Sequence, residues 1–538
     1  MQRKNNKKTT TAKSREQIHQ ELDEILAKAR RQETLTTMVG VVLSALRLLG
    51  LQLVRMVLEQ RDDGIQDKRK GPVRCPKCGS KMWKPNRKET SRMTLLGKVR
   101  YRRRCYLCRR CRTTHSPLDS TLGLKSLHRG HSAGFVRELG LMCVLHAFGR
   151  GCDLFSRSYG FEVSTHLAYP LVMGVGQKLY DDEMKKADRM WKLRHEEPLH
   201  FEPMPTGMEA KKRPGRVYVM MDNCKARIQE GKRGRGAKKR KKRKGVEERF
   251  NIDIVGPNRP PKAEKRAKKE KKKKKKKKKN NKGNDSYQEG DWRDVRAVLI
   301  YREDDLAECN KGRRSLLRRR IGAHVGTKEE FRKLLNLWFY EEGVYLAEEV
   351  VVVADGGAGI WELVEELLPK TSQRRVTQIL DWCHAVTHLW KVAKKLWTGD
   401  TKKAIKRRKR WVDGLVKYLA VGKVSNVLQR LKGKQKRTTG EPYEELRRCI
   451  DYLETHRNRM RYGYYRKRKM TIGSGAIESV HKWVIQARCK QAGMAWSQRG
   501  LNAMLRLRCA WASDRWDDVF AAEQREETEN VNDSVAAA

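Results

Sequence analysis

The sequence predicts a multidomain α/β protein, an α/β core carrying a helical insertion and preceded by a cysteine-rich module and helical segments. Three observations predict it. From Arg216 onward, short valine-rich runs alternate with stretches of helical periodicity. Upstream of that region, two Cys-x-x-Cys pairs sit in a stretch poor in long periodic runs. The formal charge is +59 over 538 residues, and such an excess argues for a polyanionic partner, because each neutralised phosphate releases condensed counterions. Residues 231–282 carry 27 Lys/Arg against 5 Asp/Glu, +22 of the total, which leaves +37 elsewhere. The basic balance is therefore not the property of one solvated run.

Residues 1–70 are expected to form an N-terminal helical region. The first fourteen are polar and basic with no apolar core, so no secretory signal is expected. Leu22, Ile25, Leu26 and Ala29 recur at helical spacing. The apolar stretch Met38 to Leu58 is broken by Arg47, Gln52 and Arg55, which fits an amphipathic packing or oligomerisation helix better than a bilayer span. No membrane partner is expected.

Residues 71–119 are expected to form a zinc ribbon-like module. Cys75-Pro-Lys-Cys78 and Cys108-Arg-Arg-Cys111 are separated by 29 residues. Each pair can present two thiolates from a tight knuckle, and two knuckles make a closed, structural four-sulfur Zn2+ site. The spacer, with Met93 to Leu96, Gly97 and Val99 to Arg103, reads as a hairpin. Cys105 pairs with Cys108 in an overlapping Cys-x-x-Cys, His115 is a weaker ligand, and buried or redox-active cysteine is the other reading. Arg102, Arg103, Arg104, Arg109, Arg110 and Arg112 surround the site and suggest contact with a DNA backbone. Thirteen cysteines in a chain without a visible signal fit metal binding or packing rather than disulfides.

Residues 120–205 are expected to be helical. Asp153–Tyr159, a turn at Gly160 and Ser164–Leu179 have helix-turn-helix form, with Ser164 as N-cap and Pro170 inside the second helix. Both DNA reading and ordinary packing stay open for this pair. Residues 206–383 hold the first part of the core. Its expected strands are Val217–Met221, Val295–Tyr301, Val350–Ala354 and Val376–Leu380, and its helices Lys328–Tyr340 and Ile360–Leu368. Within it, residues 231–291 include nine unbroken lysines from Lys271 to Lys279 and can bury no core, so they are expected to be a disordered insertion. Residues 384–470 form the helical insertion, basic but anchored by Trp390, Trp397 and Trp411. Residues 471–517 are the closing core helices, and 518–538 a disordered tail.

Three acids stand out from this pattern. Asp222 closes the run Val217–Met221, Asp355 closes Val350–Ala354 and precedes Gly356-Gly357, and Glu478 follows Gly473-Ser474-Gly475 at the start of a helix. Singly, each reads as a turn or solvent residue. Together, two strand-end aspartates and a helical glutamate can surround a pair of divalent ions. Carboxylates are hard oxygen ligands that suit Mg2+, and such a pair serves phosphodiester cleavage and joining. No Gly-x-x-x-x-Gly-Lys-Ser/Thr loop is present, so ATP-driven chemistry is not indicated.

The order strand-Asp, strand-Asp-Gly-Gly, strand-Asp-x-x-His, helical insertion, helix-Glu resembles the ribonuclease-H-like core of DDE transposases. More closely, the chain resembles the ISKra group of bacterial insertion-sequence transposases. The motifs are the two cysteine pairs with Ser116-Pro117-Leu118-Asp119, Leu380-Asp381-Trp382-Cys383-His384, and Gly473-Ser474-Gly475-Ala476-Ile477-Glu478-Ser479, continuing through Lys482, Arg488, Gly493-Met494 and Trp496-Ser497. They span about residues 70 to 517, and the C-terminal block is the most specific. The resemblance implies Asp222, Asp355 and Glu478 as a triad holding catalytic Mg2+ or Mn2+. Asp381 and His384 would support it, and Lys482 and Arg488 would hold phosphates. It implies double-stranded DNA partners at element ends and target, a homo-oligomer, most simply a dimer, and a bacterial cytoplasm where the protein associates with the nucleoid. Asn223-Cys224 after Asp222 and the polylysine insertion depart from the family pattern. Two other functions share these features: a noncatalytic zinc-containing DNA-binding protein derived from a transposase, and a nuclease with the same core.

Overall fold

The computed structural model describes residues 15–67, 71–82, 85–122, 130–196, 214–229, 292–309, 313–369, 374–491 and 494–520. The lysine-rich insertion expected at 231–291 lies outside these, as do all but the first three residues of the tail expected at 518–538.

Two helices open the described chain, α1 (Arg15–Arg30) and α2 (Leu35–Asp67). The cysteine module follows: β1 (Val73–Arg74) pairs with β2 (Lys81–Met82), and β3 (Pro85–Thr94) forms the expected hairpin with β4 (Gly97–Leu107), which also pairs with β5 (Thr114–His115). A short helix α3 (Pro117–Thr121) closes it. Then come α4 (Ala133–Leu145), α5 (Phe148–Tyr159) and α6 (Thr165–His195). Gly160 ends α5 in a left-handed conformation, and the Ser164 hydroxyl caps α6 by accepting from Leu167 N. Helix α6 runs well past the Leu179 expected from sequence. Its buried side chains and Gly176, where a Cβ would overlap the Ala503 carbonyl, hold it against the core, while Thr165, His166 and Tyr169 in its first turns are exposed.

The core sheet has five strands: β6 (Arg216–Arg227), β7 (Trp292–Arg302), β10 (Arg320–His324), β11 (Glu349–Ala354) and β12 (Arg375–Leu380). A small hairpin, β8 (Leu306–Cys309) with β9 (Arg313–Leu316), precedes β10. The strand order is β10-β7-β6-β11-β12. β7 is antiparallel to β6 and β10, whereas β11 runs parallel to β6 and β12 parallel to β11. All six residues of β11 are buried, as a central strand covered on both faces requires. In β6, Asn223, Lys225 and Arg227 are exposed and alternate with the buried or half-buried Cys224 and Ala226. Asp222 therefore does not close its strand, contrary to expectation. β11 stops opposite Met221, and β6 continues to Arg227 paired with β7, its end also bonded to Trp496, whose N–H donates to Arg227 O at 3.2 Å.

Helix α7 (Lys328–Glu341) starts in a capping box between Thr327 and Glu330, and α8 (Ala358–Leu367) follows β11. The insertion comprises α9 (Trp382–Leu396), α10 (Lys402–Ala420), α11 (Val424–Gln435), α12 (Glu441–Thr455) and α13 (Tyr462–Lys467). The chain returns through α14 (Gly475–Val480), a π-helical stretch His481–Gln486, a last turn Ala487–Cys489, and α15 (Gln498–Ala512). One apolar core runs from Phe135 in α4 through the sheet and the insertion to Phe520. Helix α6, upstream of residue 205, packs into that core. Glu183 on α6 fastens it: it accepts from Arg320 Nη2 at 3.0 Å and Trp338 Nε1 at 2.7 Å and pairs with Arg506. Burial works to raise the Glu183 carboxyl, but Arg506 and Arg320 overcome it and hold it below its usual range.

Candidate functional site

Three carboxylates stand at one level of the sheet. Met221, Ala354 and Leu380 are in register across the parallel strands β6, β11 and β12. The next residue along the chain after each is an aspartate: Asp222, Asp355 and Asp381. The carboxyl ends of parallel strands are where open α/β sheets place their chemistry.

Asp381 is fully buried and fully used. Its Oδ1 accepts from Ser474 N at 2.7 Å, and its Oδ2 accepts from His384 N and meets His384 Nδ1, both at 2.8 Å. Burial tends to raise this carboxyl, but the hydrogen bonds from His384 and Ser474 prevail and hold it below the usual range. Asp381 thus caps α9 and ties the Gly473-Ser474-Gly475 turn to the sheet, with Trp382 N donating to Ile472 O at 3.0 Å as a second tie. That turn leads into the helix of Glu478. His384 is half-exposed, and its imidazole is raised above its usual value, first by the bond to Asp381 and then by the charges of Asp381, Asp355 and Asp222.

Asp222 accepts from Asn223 N at 2.7 Å, and its Oδ2 lies 3.3 Å from His481 Nδ1. Burial raises the Asp222 carboxyl and the charge of Asp355 adds to the shift, while His481, Asn223 N–H and His384 oppose it. His481 itself is lowered by burial, against the pull of Asp222 and Glu478. Burial thus favours the neutral imidazole, which lies close against the Asp222 carboxylate. Sequence reasoning missed His481. The signal was its position three residues after Glu478, on the same helical face. The π-helical stretch that begins at His481 is a further local irregularity of the kind often met at functional sites. Glu478 is half-buried, and its charge reaches both His481 and Cys383.

Asp355 is held from the insertion side. Gly357 N donates to Asp355 Oδ1 at 3.1 Å. A Cβ on Gly356 would overlap the ring of Tyr452, with Cζ at 2.9 Å, and would lie 2.7 Å from His456 Nε2. Glycine at 356 is therefore required by the close approach of α12. Tyr452 also stacks on His388 at 3.9 Å between centroids, and Tyr462 on α13 donates to Leu380 O at 2.9 Å. The insertion buttresses two of the three strand ends.

The donor chemistry fits a divalent cation: hard carboxylate oxygens, with a repulsion between Asp222 and Asp355 that a cation would relieve. The three acids Asp222, Asp355 and Glu478 are not drawn into one tight shell. Among the described residues, only the four cysteines form a group of three or more such ligands with all donor atoms within 4.8 Å. Lys482 is exposed, four residues beyond Glu478. Arg488, expected to hold phosphate, is instead 1% exposed. Its Nε donates to Cys143 O at 3.2 Å, and its guanidinium packs over the rings of Phe148 and Trp496. It joins α4 to the closing helices and cannot reach a ligand from there.

Cys75, Cys78, Cys108 and Cys111 come together as expected. Sγ atoms of Cys75 and Cys111, and of Cys78 and Cys108, are 3.5 Å apart, and those of Cys78 and Cys111 are 3.6 Å apart. Four thiolates at about 2.3 Å from a tetrahedral Zn2+ would be spaced much like this. The two knuckles match: Gly79 N donates to Cys75 O at 2.9 Å and Arg112 N to Cys108 O at 3.0 Å, and both Gly79 and Arg112 are left-handed. Cys105 lies on β4 outside this group, and so does His115 on β5. Of the arginines around the module, Arg103 pairs with Asp119 at 2.7 Å and Arg104 with Asp62 and Asp63 at 3.1 and 2.8 Å. Those two serve the module's own packing, while Arg102, Arg109, Arg110 and Arg112 are exposed.

No family model matches the chain, and no curated protein matches it. Among solved structures the chain is similar to one described as "Drosophila P element transposase strand transfer complex", at 10% identity, covering 74% of this chain and 97% of that one, with a TM-score of 0.31. A likeness that slight fixes neither the fold nor the function.

Proposed function

We propose that the chain is a DDE transposase, which cleaves and joins the DNA ends of an insertion sequence by metal-dependent phosphoryl transfer. The observation that carries this reading is the register of Met221, Ala354 and Leu380, which sets Asp222, Asp355 and Asp381 side by side, with Asp381 tied to the turn that starts the Glu478 helix. The strand order, three antiparallel strands followed by two parallel to the first, supports a ribonuclease-H-like core. The motif block from Gly473 to Ser497 supports the ISKra type.

In this reading Asp222, Asp355 and Glu478 hold Mg2+ or Mn2+, which when bound would supply the charge needed at the attacking and leaving oxygens. The chain's own residues set the stage. His481 and Asn223 N–H orient Asp222. Gly357 N–H orients Asp355, and Tyr452 and His456 wall its loop. Asp381 and His384 are positioning residues for the start of the glutamate's helix. Exposed Lys482 takes a phosphate. A water cuts the strand at the element's end, and the freed 3′-hydroxyl attacks a target phosphodiester, both steps depending on positioning and charge neutralisation. The four cysteines hold structural Zn2+, and exposed Arg109, Arg110 and Arg112 meet the duplex backbone. The exposed first turns of α6 supply the surface for a helix-turn-helix reading. The protein would work as a homo-oligomer on two element ends, in the bacterial cytoplasm.

The test is incubation of the purified chain with a labelled duplex from the DNA flanking its reading frame, with Mg2+, beside Asp355→Ala. Metal-dependent strand transfer that disappears in the variant is expected. Cleavage without joining would make the protein a nuclease, and tight binding with neither step in either protein would make it a noncatalytic DNA-binding protein.

A further inference from the structure

Helix α2 presents an apolar stripe that nothing in the described chain covers. Leu35, Val39, Leu43, Leu46, Leu53 and Val57 lie within a narrow arc of the helix at steps of four, four, three, seven and four, and each is between 45% and 76% exposed. The stripe is about 33 Å long at 1.5 Å per residue. Its spacing is the mixture of threes and fours that lets one helix lie along another. At the position where the heptad reaches Gly50, the side chain is supplied by Leu96 from the β3–β4 turn, whose Cδ1 lies 3.0 Å from where a Cβ would stand.

Much of the rest of α2 is fixed, although Leu48, on the far side, is 59% exposed. Leu51, Val54, Leu58 and Ile65 pack on Val99, Tyr101 and Leu118. Arg47 donates to the carbonyls of Tyr159 and Gly160, and Arg104 pairs with Asp62. By length and composition the helix could cross a bilayer, but crossing would strip it from the cysteine module along its length. Nor does any described segment cover the stripe from within. The other exposed large apolar side chains of the described residues, such as Leu107, Leu317 and Ile405, form no such helical stripe. The remaining segments are basic, proline-containing or acidic in sequence and show no comparable apolar heptads. Charge also permits self-association here. Between Leu35 and Leu58 the only charged residues are Arg47, held by the carbonyls above, and Arg55, paired with Glu59 at 3.1 Å. In a chain of net +59 this is a stretch where two copies can meet with little repulsion.

We infer that the α2 stripe is the seam at which a second copy of this chain docks, helix against helix, about a two-fold axis. This gives the homo-oligomer of the proposed function a surface but does not depend on that function. The experiment is sedimentation velocity of the full chain in high salt after nuclease treatment, with Leu43→Glu/Leu46→Glu as the seam variant and Leu107→Glu as a control elsewhere. The wild type and the control are expected to be dimers. The seam variant should dissociate with a dissociation constant raised roughly a hundredfold or more, since each copy loses two buried leucines and gains two buried charges. Zinc content and the circular dichroism melt report that the variant is folded, and the milder Leu43→Ala/Leu46→Ala pair should weaken the dimer without adding charge. A wild type that stays monomeric at micromolar concentration would overturn the inference. So would a folded seam variant that remains dimeric, or a monomer that floats with phospholipid vesicles through α2.

Discussion

Gly356→Ala is the perturbation that most sharply probes how the insertion holds the acidic site. The added methyl group would overlap the Tyr452 ring and approach His456 Nε2 to 2.7 Å, inside the 3.0 Å that real Cβ atoms essentially never enter. Both neighbours are held: Tyr452 is stacked on His388, and His456 is buried. Neither can swing aside as the tip of a flexible side chain would, so the strain falls on the loop carrying Asp355. Overpacking of this kind costs about 1–3 kcal/mol. For a core of this size that is a fall in Tm of roughly 2–10 °C. The assay is a thermal melt of Gly356→Ala, Tyr452→Ala and the double variant, read beside metal-dependent DNA cleavage. Removing the ring should relieve the deeper overlap and leave only the approach to His456, so the double variant should be more stable than the sum of the single changes by about 1 kcal/mol or more. A Gly356→Ala protein that melts with the wild type, or two effects that simply add, would refute the clamp.

The same geometry sets other outcomes. Asp381→Asn leaves either Ser474 N–H or the His384 pair facing a donor and should cost about 1–3 kcal/mol; the His384 imidazole should fall toward its ordinary value of 6.5, which an NMR titration reads. Because His384 is raised in the folded state, its share of stability is complete below pH 6.5 and is lost as pH rises through the raised value. Asp381, held below its ordinary 3.8, contributes above that pH and loses its share as pH falls through the lowered value. Denaturation midpoints against pH should show both losses in the wild type and neither in Asp381→Asn. Cys108→Ser should lower bound zinc from about one ion per chain and make residues 71–119 protease-sensitive, because the module's own core is only Val73, Cys75, Met82, Tyr106 and Cys108; metal analysis and limited proteolysis check it. Lys482→Ala should weaken binding to any duplex and lower the salt slope by about 1, whereas Arg488→Met should lower thermal stability and leave that slope unchanged.

Much of the core was legible because the physics is local. Val350–Val353, four β-branched residues running into Asp355-Gly356-Gly357, reads as a strand, and the structure buries it fully, while the two cysteine pairs announce their knuckles by spacing. Ser164 was readable as a cap for the same reason. What sequence could not supply depends on partners far along the chain. β10 is a five-residue strand whose Gly322 makes room for Trp338, and nothing near it signals an edge strand. Arg488 looks like a phosphate ligand until Cys143, Phe148 and Trp496 enclose it. Arg103 and Arg104 look like DNA contacts until Asp119, Asp62 and Asp63 take them. His481 sat in plain view beside Glu478, but its purpose appears only when β6 brings Asp222 to within 3.3 Å. The extension of β6 past Asp222 likewise depends on β7, which lies some seventy residues away in the chain.

In the proposed function Asp355 binds a divalent metal that the reaction requires, and the most direct measurement of that role is metal rescue of Asp355→Cys. A thiolate is a poor ligand for Mg2+ and a better one for softer Mn2+. DNA cleavage by the variant should be lost in Mg2+ and return in Mn2+, while the wild type works in both. A variant as active as the wild type in Mg2+, or one that stays inactive in Mn2+ although folded and zinc-loaded, would contradict that role.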